Sequence, residues 1–198
     1  MDVDLEPQIR AEETDGRRRR SQDSRARIVG ALLKLTRAGE LSPSAEQVAA
    51  RAGVGLRTVF RHFSDMESLY REMTDVIESE LRAVAGRPFV GGTWRERVIE
   101  LAARRGEAFE VIGPFRRAAD LRRHASLVLQ DDHARLTATL RGILFREVPG
   151  DAIDGPALEA LNLLLSYEAW SRLRRDQQLA PEDARKVLER AVRALVGD

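Results

Sequence analysis

The sequence predicts an all-α protein, and three observations carry that reading. From Asp23 onward, apolar residues recur at three- and four-residue spacing. No stretch of alternating β-branched residues is long enough to begin a sheet. Gly and Pro fall in short clusters, such as Arg87-Pro88, Gly113-Pro114 and Pro149-Gly150, that punctuate the apolar runs. The expected order is a charged N-terminal arm (1–21), a small helical domain (22–70) and a larger helical bundle (71–198).

Composition narrows the function classes. The chain has 198 residues and 43% hydrophobic content, enough for a substantial core. The formal charge of +1 hides an asymmetry. Asp2–Asp15 carries six acids against Arg10, whereas Arg17–Tyr70 carries eleven bases against five acids. Cysteine is absent, which excludes disulfides, thiolate catalysis and Cys-ligated zinc. The first apolar run is too short and acidic for a signal peptide, and no run approaches the roughly 18 apolar residues of a membrane span. A cytoplasmic protein with no membrane association and no cofactor is expected.

Each element follows from local signals. Residues 1–21 combine Pro7, Gly16 and dense charge, which predicts disorder. Ile28, Ala31, Leu32 and Leu35 give a helix over Asp23–Arg37, with Asp23 or Ser24 as cap. Ser44-Ala-Glu-Gln reads as a capping box opening Ala45–Ala52, and Gly53 closes it. A short helix follows from Gly55 to His62. Ser64 and Glu67 read as a second box, opening a long helix that ends near Gly86. In the bundle, Thr93 caps Trp94–Ile112, which Gly113-Pro114 should break. Phe115–Arg123, Ala125–Glu147, Ala157–Gln178 and a last helix led by Pro181 complete the set.

Ser44–Phe63 has the layout of a helix, a tight turn and a second helix. On the second helix Leu56, Val59, Phe60 and Phe63 fall at i, i+3, i+4 and i+7, forming an apolar stripe. Arg57, Thr58, Arg61 and His62 fall opposite. An ordinary hairpin with a solvated basic face would look similar. The shortness of the helix and its position inside the basic stretch favour a recognition helix for the DNA major groove, where arginine forks onto guanine.

Arg27–Met73 resembles the N-terminal DNA-binding domain of TetR-family transcriptional regulators. The resemblance rests on Ile28 and Ala31, on Val48-Ala49 and Ala52-Gly53-Val54, on Thr58-Val59-Phe60-Arg61-His62-Phe63 and on Glu67-Ser68-Leu69. Beyond this segment the chain matches the family only in length and helical count. The resemblance implies DNA contacts from Leu56, Arg57, Thr58, Phe60 and His62, with Ser44 and Glu46 contributing from the preceding helix. Phe60 stands where the family usually has tyrosine, Met66 where a lysine usually meets a phosphate, and Leu56 where a polar residue is common. Phosphate affinity is therefore expected to lean on Arg57, Arg61 and the arm residues Arg17, Arg18, Arg19 and Arg20. That arm could neutralise phosphates, enter the minor groove or simply be solvated.

For the bundle the resemblance implies a small-molecule effector and homodimerisation through the last two helices, hence a palindromic operator and a repressor released by ligand. The broad apolar stripes nominate Leu161, Leu164, Leu165, Leu188, Val192 and Leu195 for the dimer interface. The aromatics Trp94, Phe109, Phe115, Phe145, Tyr167 and Trp170 are candidates to line a pocket, although aromatics at helical spacing also build cores. Two further readings stand beside this one. A ligand-independent architectural DNA-binding protein would need no cavity. A metalloenzyme would need ligands, yet His124 and His133 lack the i, i+4 spacing of a shared helical face, and no H-E-x-x-H, P-loop or nucleophile elbow occurs. No metal site and no catalytic residue are expected.

Overall fold

Helix-forming segments and their caps organise the computed structural model, which describes residues 6–197, with side chains from Arg18 onward except that of Ala83. Among the described residues there are nine α-helices and no strand. They are α1 (Glu6–Arg37), α2 (Ala45–Ala52), α3 (Leu56–His62), α4 (Met66–Ala85), α5 (Trp94–Asp120), α6 (Leu127–Glu147), α7 (Gly155–Leu164), α8 (Tyr167–Ser171) and α9 (Pro181–Val196). The chain divides into two compact units, Met1–Val76 and Ile77–Asp198.

In the N-terminal unit α1 packs on both α2 and α3. Ile28, Leu32, Val48 and Val59 are fully buried, and Ala49 and Ala52 are small enough for close helix approach. The capping box on α2 forms as expected: the Gln47 N–H donates to Ser44 Oγ, and the Ser44 N–H donates to the Gln47 side chain. Gly53 closes α2 with φ 64° and ψ 41°, a left-handed conformation that favours glycine.

Two expectations change here. The first helix begins at Glu6, where disorder was expected; Met1–Leu5 lie outside the described residues. Pro7 falls in the first turn, where its missing N–H costs no helical bond, and the following Ala, Glu and Arg are strong helix formers. At α4 the cap is Asp65 in place of Ser64, because Asp65 Oδ1 accepts from the Ser68 N–H at 2.7 Å. That bond holds the Asp65 carboxyl below its ordinary pKa.

The core of the C-terminal unit joins Val98, Leu101 and Ala102 of α5 to Leu144 and Val148, Leu161 and Leu165, and Val192 and Val196. Thr93 and Glu96 form the box expected at α5. Gly113-Pro114 does not break this helix, which runs on to Asp120. Ile112, Phe115 and Ala118 are buried on both sides of the proline, and burying two large side chains outweighs its cost of about 3 kcal/mol. Tyr167 Oη donates to the Gly113 carbonyl at 3.2 Å.

The single helix expected over Ala157–Gln178 is instead broken at Leu165. Ser166 adopts an extended conformation and caps α8, its Oγ accepting from the Ala169 N–H at 3.1 Å. A π-helical turn follows at Arg172–Asp176. The expected dimer residues also change role. Leu161, Leu165, Leu188 and Val192 are buried inside the unit, and Leu195 packs against the same core, so these stripes close the monomer. Leu164 is half-buried. The large apolar side chains left in solvent on α7 and α9 are Leu163 (67% exposed) and Val187 (44%).

Candidate nucleic-acid interface

Helix α3 is seven residues long and cannot hold itself in place. Two arginines of α1 fix its surroundings. Arg27 Nη2 donates to the carbonyls of Ala52 and Gly53, taking up the free C-terminal acceptors of α2 beneath the turn. Arg25 Nη1 donates to the His62 carbonyl at 2.7 Å, the C-terminal end of α3. Its guanidinium carbon lies 4.3 Å from the centre of the Phe63 ring, and Nε donates to Glu72 at 3.0 Å. One side chain thus ties α1 to the end of α3 and to α4. Sequence reasoning missed both roles. The signal was present: Arg25 lies three and seven residues before Ile28 and Leu32, on the buried face of α1.

At about 100° per residue, α3 divides cleanly. Val59 and Phe63 are buried, and the half-buried His62 falls beside them. Leu56, Phe60, Arg57 and Arg61 occupy one continuous exposed arc, with Leu56 38% and Phe60 48% exposed. The structure therefore moves the boundary expected from spacing. Leu56 and Phe60 leave the anchor and join the arginines. Thr58 is half-buried. His62 Nε2 is buried without a hydrogen-bond partner. Burial, followed by the positive charges of Arg61 and Arg25, lowers its pKa, so the ring is neutral at pH 7.

The other expected contact residues are placed as follows. Ser44 is exposed, with its hydroxyl committed to the α2 cap. Glu46 is exposed and remains a carboxylate, its pKa lowered by its own backbone N–H and the Ser44 hydroxyl. Met66 is half-buried. Arg18, Arg19 and Arg20 are exposed on α1, and the Arg17 side chain lies outside the described residues. Because this stretch is helical, Arg18, Arg19 and Arg20 spread over about 200° and cannot all face one surface. A helix about 10 Å wide also does not enter a minor groove about 6 Å wide.

In the bundle, Phe109, Phe115 and Trp170 are core residues. Phe109 meets Tyr167 edge-on at 5.7 Å, and Trp170 Nε1 donates to Glu110 at 2.8 Å. Gly106 is required there, since a Cβ would come within 2.9 Å of the Trp170 ring. Trp94 and Phe145 pack partly buried on the core. Of the six aromatics, Tyr167 reaches a small cavity, shared with Arg105 and Arg116. Among the described residues no cluster of His, Asp and Glu has the makings of a metal site. His133 Nδ1 lies 2.6 Å from Arg116 Nη2 and 2.7 Å from Arg123 Nη1, so guanidiniums occupy the position a metal would need. No described helix is long and apolar enough to cross a membrane.

No protein-family model matches the sequence, and no curated protein matches it either. Solved structures do match. A Rhodococcus sp. protein assigned as a TetR-family transcriptional regulator superposes with a TM-score of 0.68 at 19% identity, over 89% of this chain and 100% of that one. A transcriptional regulator from Rhodococcus sp. Rha1 gives 0.68 at 20% identity, over 87% and 95%. A TetR transcriptional regulator from Rhodococcus sp. RHA1 gives 0.55 at 20% identity, over 90% and 97%. The chain has the all-helical fold of TetR-family transcriptional regulators, along nearly its whole length.

Proposed function

We propose that this protein is a sequence-specific DNA-binding transcriptional regulator that acts as a homodimer in the cytoplasm, a repressor whose grip on DNA is released by a small molecule. The observation that carries this reading is the exposed arc of α3. Arg57 and Arg61 have no protein partner among the described residues, while Arg25 and Arg27 spend their hydrogen bonds holding the helix. A short, clamped helix with two uncommitted guanidiniums suits guanine edges or phosphates in a major groove. Leu56 and Phe60, beside them, suit thymine methyl groups. The absence of a hydroxyl on Phe60 leaves phosphate contacts to the arginines.

Homodimerisation is supported by Leu163 and Val187, large apolar side chains exposed on α7 and α9 after the monomer core has been filled. Two copies would present recognition helices to half-sites about 34 Å apart. The effector reading draws on the cavity beside Tyr167. Selection of bound duplexes from a random DNA pool tests the function. A palindromic consensus is expected, and an absence of enrichment at moderate salt would overturn the reading.

A further inference from the structure

We propose that the C-terminal unit holds a seat for a short-chain monocarboxylate, formed where Arg105 faces the cavity beside the α7–α8 break. The inference rests on the effector reading above and names the class of ligand. Arg105 is 3% exposed, and among the described residues it has no carboxylate partner. Its Nη1 donates to the Leu165 carbonyl at 2.6 Å, and its Nη2 donates to the Leu140 carbonyl. Its Nε is buried and unpartnered. Carbonyl dipoles solvate part of a guanidinium but do not cancel its charge, and an uncompensated buried charge is costly.

The surroundings are built to meet an anion. The Leu165 carbonyl is available to Arg105 because the helix stops there and restarts from Ser166. The cavity, about 50 Å³, is lined by Arg105 and Arg116 together with Leu136, Leu140 and Asn162. Arg116 Nε is likewise buried without a partner. The carboxylate at the site, Glu168, lies 3.6 Å from Arg116 Nη2, with its own side chain 63% exposed. Two guanidiniums thus face one largely solvated carboxylate, which leaves net positive charge. The space holds a few waters or one carboxylate head with a short tail against leucine.

Thermal unfolding of the full chain at constant ionic strength tests this, with sodium propionate, propionamide and inorganic phosphate as probes. Propionate is expected to raise Tm saturably, and the other two are not. Arg105→Met should lose the response, and Arg105→Lys should weaken apparent affinity roughly tenfold or more. If Arg105→Met does not fold, Arg105→Lys and Arg116→Gln carry the test. No saturable shift with propionate, an equal shift with propionamide or phosphate, or a wild-type response in the variants would overturn the seat. Operator affinity forms a separate arm. Saturable propionate binding that leaves DNA affinity unchanged would keep the seat and overturn the effector reading.

Discussion

Arg61→Glu reverses a charge that the fold does not use, since Arg61 is exposed and has no protein partner among the described residues. Operator affinity measured by fluorescence anisotropy should fall to the nonspecific level, with an unchanged melting temperature. Unchanged affinity would remove Arg61 from the reading face. Arg25→Met should fail differently. It breaks the bond to the His62 carbonyl and the pair with Glu72, and should lower unfolding free energy by about 1–2 kcal/mol, discounted for its partial exposure. DNA affinity should fall with it, because the end of α3 is released. His62 supplies a pH signature. Its folded pKa lies below that of the unfolded chain, about 6.5, so the unfolded state binds the proton first. Stability should be flat above pH 7 and fall as pH drops through that value. His133 has the same direction from burial, Arg116 and Arg123, so His62→Gln should remove only part of the slope between pH 7.5 and 5.5 in urea unfolding.

At the scale of elements, the turn between α2 and α3 depends on Gly53. Gly53→Ala places a side chain at φ 64°, costing about 1–2 kcal/mol, and its Cβ meets Arg27 Nη2 at 3.0 Å. Chemical denaturation should show that loss; an unchanged midpoint would mean that the turn relaxes freely. Most elements were legible because their signals are local. The Ser44 and Thr93 boxes, the Gly53 stop and the Pro181 start depend on residues within four positions of one another. The early start of α1 and the Asp65 cap were local signals misread, whereas two elements of the bundle were set by distant partners. Gly113-Pro114 stays helical because Ile112 and Phe115 are buried, and at the end of α7 the Leu165 carbonyl is met by Arg105, 60 residues away in sequence.

At the scale of the whole molecule, assembly and the filling of the monomer core are separable. Leu163→Arg should leave the monomer stable to within about 0.5 kcal/mol but give monomers by light scattering. Leu161→Ala, two residues away and fully buried, should cost about 2–5 kcal/mol of unfolding free energy. A stable dimer in Leu163→Arg would place the interface elsewhere.

The all-helical class, the helix-turn-helix and the basic character of its region were determined by sequence, because periodicity, caps and charge are written in neighbouring residues. Burial of particular faces was decided only by tertiary structure. Val59 and Phe63 anchor α3 while Leu56 and Phe60 do not, although all four share one helical stripe. Leu161 fills the core while Leu163 meets solvent. A helical stripe states which residues can be buried together; the helices packed against it decide how wide the buried arc is, and the rest of the stripe remains for partners.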